Sequence, residues 1–322
     1  MSKEVIERLN NLPNDEAVIV FDHLTKDYGN GRGIFDITFK IPPGKVFGYC
    51  GTNGAGKTTT LRHVMGFIKP DSGTVLVEGK NPWKEGEAIK NRIGYLPGEI
   101  AFPPVENGSE FLKSQAELIG LKDMSKAERI INAMQLDPTA NLKRMSKGMK
   151  QKTAIVATFM HSPDIILLDE PTTGLDPLMR EAFIDIIMEE KQKGSTILMS
   201  NHMFDELDET CDYVAFIKDG HIIDIVDMEE LHNRPYREYV VYFQTKEDYE
   251  GFLKSGIKIR GKDDNTFGVL IHIDKKNAEE FIELIYKYSI RRLNELKYSL
   301  ERYFMEHIGG KEDGTSPIKE TK

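Results

Sequence analysis

A glycine-rich run from Gly51 to Thr58 limits what this 322-residue chain can fold into more than any other feature. It reads GTNGAGKT and fits the pattern G-x-x-x-x-G-K-[ST]. The apolar stretch KVFGYC precedes the run, and a helical pattern follows it to about Met65. In such a strand–loop–helix unit, backbone N–H groups of the loop close around phosphates, and the positive end of the helix lies behind them. The run therefore predicts a site for a nucleoside triphosphate.

The individual positions of this loop predict separate contacts with ATP and Mg²⁺. Lys57 is long enough to reach the β- and γ-phosphates, and the Thr58 hydroxyl is a ligand for Mg²⁺. The remaining loop positions expected to bind ATP are Gly51, Asn53, Gly54, Ala55, Gly56 and Thr59. The predicted cofactors are accordingly ATP and Mg²⁺.

A second motif, IILLDEP, supplies two carboxylates at the end of an apolar strand. Nucleotides bind at the carboxyl edge of the sheet in open α/β folds, so these carboxylates are expected near the glycine-rich loop. Asp169 suits the coordination sphere of Mg²⁺. Glu170 suits a general base that orients the attacking water. Together with the loop, this motif predicts hydrolysis of the nucleotide and not binding alone.

The order of strand and helix patterns indicates an α/β fold. From about residue 148, helical patterns alternate with the apolar strands DIILLD, STILMS and DYVAFI. This alternation is typical of a parallel sheet that is buried on both faces. Ahead of the glycine-rich loop, residues 17–23 and 34–41 read as strands joined by a glycine-rich turn. Residues 107–135 read as mainly helical because apolar residues recur at helical spacing.

Composition changes along the chain predict four segments. Residues 1–16 form an N-terminal extension, whose helical spacing of apolar residues predicts a short surface helix. Residues 17–235 form a nucleotide-binding domain with a helical subdomain at about 100–160. A strand–helix–strand–strand–helix pattern then predicts a small α+β accessory domain over 236–308. The polar residues 309–322 are expected to be disordered.

Charge and apolar content exclude several classes of partner. The formal net charge is −9, from 43 Lys and Arg against 52 Asp and Glu, and no basic block stands out. Nucleic-acid binding is therefore not expected. The N-terminus lacks the apolar core of a signal peptide, and no stretch approaches the ~18 apolar residues that span a membrane. Cys50 and Cys211 lie in apolar stretches, which favours reduced core residues over a disulfide. We therefore expect a soluble protein, for which any membrane role must come through a partner.

The ordered motifs GTNGAGKTT, MSKGMKQK, IILLDEPTTGLDP and SNH resemble the nucleotide-binding domain of ABC transporters over residues 17 to about 232. The resemblance implies a P-loop NTPase of ABC type, with a mixed sheet, an antiparallel β subdomain and a helical subdomain. It also implies ATP hydrolysis that powers a separately encoded transmembrane permease from the cytoplasmic face of the cell membrane. Two copies of the chain would close head to tail as an ATP-sandwich dimer.

The same resemblance implies roles for five further residues. Tyr28 in KDYGNG matches the aromatic residue that stacks on adenine. Ser146 and Gly148 match the signature motif, which contacts the γ-phosphate bound by the opposite subunit. Asp176 matches the loop that crosses the dimer interface, and His202 matches the catalytic switch histidine that bonds the γ-phosphate.

Two departures from the family pattern affect the predicted site. The family usually carries a Gln that would fall at Gly98, and Glu99 follows directly. Glu99 is therefore a further candidate metal ligand, although a carboxylate accepts hydrogen bonds only and cannot copy an amide. In the signature motif, Met145, Lys147 and Met149 replace the common Leu, Gly and Gln. ATP binding is expected to survive these changes.

The closing segment SLERYFM, residues 299–305, resembles the S-L-E-x-x-F ending of many ATPase chains that serve an export permease. It suggests an exporter of drugs, peptides or other amphiphiles. An alternative is a soluble ABC-type ATPase that works without a permease, in assembly or maintenance. Such relatives carry either two domains in one chain or a long coiled coil, and neither feature is present in this sequence.

Overall fold

A computed structural model describes residues 2–308 of the chain. The expected disordered tail, residues 309–322, lies outside the described residues. The chain separates into two compact units, with the division after Met228. This division falls earlier in the chain than the expected domain boundary at residues 235–236, which stays a prediction. Each unit is described by itself.

The strands of the first unit form two sheets. Their bounds are β1 Ile19–Asp27, β2 Gly33–Ile41, β3 Val46–Cys50, β4 Ser72–Val77, β5 Ile93–Leu96, β6 Ile165–Asp169, β7 Thr196–Asn201, β8 Tyr213–Lys218 and β9 His221–Asp227. The larger sheet has the order β5-β6-β7-β3-β8-β9. Its neighbouring strands are parallel up to β8, and β9 pairs with β8 antiparallel. The smaller sheet has the order β2-β1-β4 and is antiparallel.

The helices of the first unit connect these strands. They are α1 Ser2–Asn10, α2 Lys57–Val64, α3 Pro82–Glu85, α4 Glu87–Lys90, α5 Gly108–Leu118, α6 Ser125–Ala133, α7 Lys147–Phe159, α8 Pro177–Gln192 and α9 Phe204–Thr210, and α10 Met228–His232 follows at the division. Among residues 2–308, none of the helices combines the length and the apolar character needed to cross a membrane.

Apolar side chains explain the position of the central strands. Every residue of β3 and β6 is buried, as expected for parallel strands covered on both faces. An aromatic stack links the two sheets: the ring centroids of Phe39 and Phe21 lie 4.6 Å apart, and those of Phe39 and Phe47 lie 5.1 Å apart. The core of the unit therefore lies between the small antiparallel sheet and the large sheet, and it holds β3 rigidly ahead of the glycine-rich loop.

The N-terminal helix α1 packs on the first unit through one apolar stripe. Val5 and Leu9 in α1 are only 2% and 3% exposed and belong to the main apolar cluster. The helix packs on β2 and β9, and Arg8 forms an ion pair with Asp227 of β9. The polar face of α1 is exposed, so the helix lies at the surface of the unit, and the structure adds which strands its apolar stripe covers.

The second unit is a small α+β domain. Its elements are β10 Tyr236–Phe243, α11 Lys246–Leu253, β11 Ile259–Asp263, β12 Gly268–Asp274, α12 Ala278–Ile285, β13 Ile290–Leu296 and α13 Leu300–His307, with a 3₁₀ turn at Lys275–Asn277. The antiparallel sheet has the order β11-β12-β10-β13, which is the ferredoxin-like βαββαβ arrangement. Its core is formed around Phe243, Phe252 and Phe281.

Candidate nucleotide site

The glycine-rich loop opens onto a cavity of about 740 Å³ at the carboxyl ends of β3 and β6. Parallel strands place both ends at the same edge of the sheet, so the two predicted motifs meet there. The cavity is lined by Tyr28, Arg32, Gly33, Asn53, Gly54, Gly56, Lys57, Thr58, Thr59, Arg62, Gly98, Glu99, Asp169 and Glu170. Most of the predicted ATP-binding and metal-binding residues of one chain are therefore brought together. Gly51 and Ala55 do not line the cavity, although both belong to the loop.

Backbone geometry at the end of the loop requires glycine. Gly56 has a φ of 112°, and a Cβ atom there would lie 2.5 Å from Cγ2 of Ile34. The helix α2 begins at the next residue, Lys57, whose side chain is 6% exposed. The Lys57 ammonium donates hydrogen bonds to the carbonyl oxygens of Gly51 at 2.7 Å and Thr52 at 3.3 Å. The loop thus holds a buried positive charge at the N-terminal end of a helix, which is the environment that binds phosphate.

Asp169 lies at the floor of the cavity with both carboxylate oxygens hydrogen-bonded. Its side chain is buried, with 2% exposure. The Thr58 hydroxyl donates to Oδ2 at 2.7 Å, and the Ser200 hydroxyl donates to Oδ1 at 2.6 Å. These bonds fix the rotamer of Asp169 and place a hydroxyl and a carboxylate, both hard oxygen donors, at hydrogen-bond distance from each other. Ser200 was missed by sequence reasoning, which treated STILMS only as a strand.

Glu170 occupies a strained backbone position beside the loop lysine. Its φ is 49°, which is unusual for a residue other than glycine and is found at functional sites. Its N–H donates to the carbonyl oxygen and hydroxyl of Ser200, at 3.1 Å and 3.0 Å. Its Oε1 lies 3.6 Å from Nζ of Lys57 and 3.9 Å from Nδ1 of His202. The other two predicted catalytic residues, Lys57 and His202, therefore lie within 4.0 Å of the Glu170 carboxylate.

His202 sits on a turn that a buried carboxylate holds in place. Asn201 accepts the His202 N–H at 2.7 Å, and its side-chain amide donates to Glu206 at 2.6 Å. Glu206 also accepts the Thr172 hydroxyl at 2.7 Å and is only 5% exposed. Sequence reasoning missed Glu206, because an acidic residue in FDELDE is typical of an exposed helix. The buried side chain of Glu206 therefore joins Thr172, three positions after the end of β6, to the turn that carries His202.

Cationic and aromatic side chains line the outer part of the cavity. Tyr28 is 53% exposed, and the ammonium of Lys26 lies 5.8 Å from its ring centroid. Arg32 and Arg62 also line the cavity and were not predicted. Arg62 follows Thr58 by one helical turn on α2, a spacing that places both side chains on one helix face. That spacing was the sequence signal that could have found it.

Gly98 and Glu99, at the position where the family usually carries a glutamine, contribute to the site in different ways. A Cβ atom on Gly98 would lie 3.2 Å from Oδ2 of Asp169, so this backbone approaches the carboxylate closely. Glu99 is exposed and lines the same cavity. The departure from the family therefore replaces an amide side chain with a bare backbone segment beside Asp169 and a neighbouring carboxylate.

Ser146, Gly148 and Asp176 do not line the cavity of their own chain. Ser146 caps α7 by accepting the N–H of Met149 at 3.2 Å, and Asp176 caps α8 by accepting the N–H of Met179 at 3.1 Å. A Cβ atom on Gly148 would lie 2.7 Å from the carbonyl oxygen of Gly174. The start of α7 therefore packs directly on the loop that leads to Asp176, and these residues form a second, separate surface of the chain.

Both cysteines are buried and free, which confirms the expected core role. Burial raises the pKa of the Cys50 thiol to about 11 and that of the Cys211 thiol to about 12. Both thiols therefore stay protonated at neutral pH, which is typical of structural core cysteines.

Known proteins match the chain over its motifs and over nearly its whole length. The family described as ABC transporter matches residues 34–173. An uncharacterized ABC transporter ATP-binding protein of Methanocaldococcus jannaschii, MJ1023, is 32% identical over 293 residues, which cover 89% of this chain and 98% of that protein. The bacitracin transport ATP-binding protein BcrA of Bacillus licheniformis is 29% identical over 310 residues, which cover 91% and 98% of the two chains. A solved structure of the ATP-binding subunit of an ABC transporter superposes with a TM-score of 0.61 at 27% identity, covering 67% of this chain and 92% of that one.

A phosphate-binding loop and an acidic strand end on this mixed sheet define an ATP-hydrolysing P-loop protein, so the predicted fold class is confirmed. The chain belongs to the ABC transporter ATP-binding proteins. It is an ATP-hydrolysing transporter subunit, as the sequence motifs predicted.

Proposed function

We propose that the described cavity is the catalytic half-site of this subunit, with Glu170 as the group that orients and activates water. The contact of Glu170 with both Lys57 and His202, at 3.6 Å and 3.9 Å, is the observation that carries the proposal. Lys57 and His202 would hold the γ-phosphate while Glu170 accepts a proton from the attacking water. Tyr28 would stack on the adenine, and the loop from Gly51 to Thr59 would enclose the phosphates.

The oxygen donors at the cavity floor suit Mg²⁺. Thr58 and Asp169 offer one hydroxyl and one carboxylate, and Mg²⁺ commonly takes few protein ligands and completes its shell with phosphate oxygens and water. The bound ion would neutralise charge that develops on the transferred phosphate. Glu99 would add a carboxylate on the open side of the cavity. Ser200 would keep the Asp169 carboxylate in the orientation that Mg²⁺ binding requires.

The second surface of the chain suits the opposite face of an ATP-sandwich dimer. Ser146 is exposed at the N-terminus of α7, where a hydroxyl and free N–H groups favour an anion. Gly148 and Asp176 accompany it on adjoining segments. A second copy would present these groups to the γ-phosphate bound by the first copy. Hydrolysis would remove that shared contact and let the dimer open.

The proposed role of the subunit in transport concerns its location, its membrane partner and its cargo. The subunit would act at the cytoplasmic face of the membrane and power a separately encoded permease. The similarity to a protein named for bacitracin transport supports a cargo of amphiphilic peptides or drugs. The residues over 236–308 would form an accessory domain that takes no direct part in hydrolysis.

Replacing Glu170 by Gln tests the catalytic assignment. The amide cannot accept the proton from water, so the rate of ATP hydrolysis should fall by at least about a hundredfold. The variant should still bind ATP and should form an ATP-dependent dimer by size-exclusion chromatography. Glu209→Gln, an exposed acidic residue of α9, is the matched control and should hydrolyse ATP normally. Hydrolysis at the normal rate by Glu170→Gln would remove Glu170 from its role.

Replacing Lys57 by Ala should instead abolish ATP binding.

Replacing Glu99 by Ala tests the altered position beside Gly98. If Glu99 supplies a metal ligand, the Mg²⁺ concentration for half-maximal hydrolysis should rise by about tenfold, because one charged oxygen ligand is lost. A Mg²⁺ titration of the hydrolysis rate at saturating ATP measures this shift. An unchanged titration curve would show that Glu99 has no part in metal binding.

A further inference from the structure

A second cavity, of about 570 Å³, lies within the accessory unit beside the N-terminal end of α12. We refer to it as the α12 cavity. It is lined by Ser255, Gly256, Ile257, Lys258, His272, Ile273, Asp274, Asn277, Glu280, Phe281 and Leu284. All of these residues belong to one unit, and none lines the nucleotide cavity. Its volume falls in the range of small-molecule sites, about 300–1,000 Å³.

Two buried polar atoms of the α12 cavity residues lack a partner. Within residues 2–308, neither Oγ of Ser255 nor Nδ1 of His272 makes a hydrogen bond, although both atoms are buried. Buried polar atoms in native proteins are nearly always hydrogen-bonded, so each such atom calls for an explanation. The His272 ring is held by stacking on Tyr236, with ring centroids 3.9 Å apart. The residues that line the α12 cavity therefore include a stacked imidazole and a hydroxyl, each with a buried polar atom that lacks a partner.

The charged groups of the α12 cavity are of both signs and are separated. In the described part of the chain, Lys258 and Glu280 make no ion pair, with each other or with other residues, and both are exposed. Asp274 adds a second carboxylate, whose Oδ1 lies 3.9 Å from Nε2 of His272. The Lys258 ammonium and the carboxylates of Glu280 and Asp274 line one cavity without pairing with each other, so they are complementary to a ligand that carries both charges.

Three apolar side chains from α12 and from the loop after α11 also line the α12 cavity. Phe281 is only 5% exposed, and Ile257 and Leu284 are half-buried beside it. These side chains can cover an aliphatic or aromatic group of limited size. Apolar walls with a few convergent polar groups are the usual composition of a ligand pocket.

We propose that the α12 cavity binds a small zwitterion with an apolar body, which is the chemistry of a free apolar amino acid. The ligand carboxylate pairs with Lys258 and accepts the Ser255 hydroxyl. The ligand ammonium pairs with Glu280 and Asp274. The apolar body lies against Ile257, Phe281 and Leu284. The site goes beyond ATP hydrolysis and does not depend on the roles proposed for the nucleotide cavity.

Titration of the full-length protein with L-leucine tests the proposal. Isothermal calorimetry and ligand-observed NMR should both detect saturable binding. Two probes each lack one charge: 4-methylpentanoate has no ammonium group, and 3-methylbutylamine has no carboxylate. Each should bind at least about tenfold more weakly, since one charged contact is lost. Absence of saturable L-leucine binding, or equal binding of all three probes, overturns the proposal.

Paired variants locate the binding. Lys258→Met and Glu280→Gln should each weaken L-leucine binding by about tenfold. The matched controls Lys254→Met and Glu279→Gln change neighbouring exposed residues outside the cavity and should leave binding unchanged. ATP hydrolysis and the thermal midpoint report whether each variant is folded. Equal loss in controls and cavity variants would place the binding elsewhere and contradict the α12 cavity.

Discussion

At the scale of single residues, the Ser200 hydroxyl bonds the side chain of one acidic residue and the backbone of the next. Ser200 donates to Asp169 at 2.6 Å and accepts the N–H of Glu170 at 3.0 Å. Asp169 is nearly fully buried, so its orientation depends on donors that the protein provides. The strained φ of 49° at Glu170 persists because the same serine bonds its backbone. We therefore expect Ser200 to position both the predicted metal ligand Asp169 and the predicted base Glu170.

Ser200→Ala should slow ATP hydrolysis by about tenfold or more. The change leaves one oxygen of a buried carboxylate unpaired, which should also lower the free energy of unfolding by about 1–3 kcal/mol. Ser195→Ala is the matched control, because that buried hydroxyl donates to the carbonyl oxygen of Pro163, away from the cavity. It should destabilise the protein without a comparable loss of hydrolysis. Steady-state hydrolysis rates and urea unfolding measure the two effects; equal rates in both variants would contradict the positioning role.

At the scale of elements, ion pairs fasten the helical segment to the rest of the first unit. Arg129 of α6 bonds both oxygens of Glu189 on α8, each at 2.7 Å. Lys126 of α6 bonds the neighbouring Glu190 at 2.8 Å, and Glu190 is 1% exposed. A buried carboxylate paired with a lysine is costly to break, because removal of one partner leaves an uncompensated charge. These contacts fix how α6 lies against α8.

The Glu189 contact should make stability depend on pH. Hydrogen bonds from Arg129 and Lys193 lower the pKa of Glu189 from 4.5 to about 2. A lowered folded-state pKa stabilises the protein above the unfolded value of 4.5, and this stabilisation is lost as the pH falls toward 2. Glu189→Gln should therefore lower the free energy of unfolding at pH 7 by less than about 1 kcal/mol, since the side chain is 36% exposed.

Urea unfolding at a series of pH values measures this dependence. The difference between the wild-type protein and Glu189→Gln should shrink as the pH falls below 4.5. Glu181→Gln, an exposed residue of the same helix, should show no such dependence. A difference that stays constant with pH would show that the ion pair is not its source.

At the scale of the whole molecule, the two units have separate apolar cores. The first core includes Phe21, Phe39 and Phe47, and the second includes Phe243 and Phe252. Two cores in one chain predict two unfolding transitions. ATP binds the first unit, so it should raise the midpoint of that unit's transition.

Phe252→Ala should destabilise the second unit alone. Phe252 is fully buried, and truncation of a buried phenylalanine costs about 3–5 kcal/mol. Calorimetry should show a lower midpoint for one transition, while the ATP-stabilised transition stays in place and ATP hydrolysis continues. Met305→Ala, at an exposed position, is the control. An equal shift of both transitions would show that the units unfold together.

Local sequence pattern was sufficient to predict part of the site and part of the fold. The loop from Gly51 to Thr58, the carboxylates of Asp169 and Glu170, and the alternating strands are encoded in short stretches, because their chemistry depends on neighbours in the chain. The strands β4, β9 and β13 were not recognised, since their residues are mixed in polarity and only pairing with a neighbour identifies them.

Residue order alone defined the phosphate loop, the acidic strand end, the fold class and the family. These features rest on backbone conformation and periodicity, which act over a few residues. Tertiary structure alone revealed the buried contacts of Ser200 and Glu206, the packing of α1 and the α12 cavity. Each of these features brings together side chains that are far apart in the chain. The residues that flank such a side chain in the sequence do not show which distant residue it contacts.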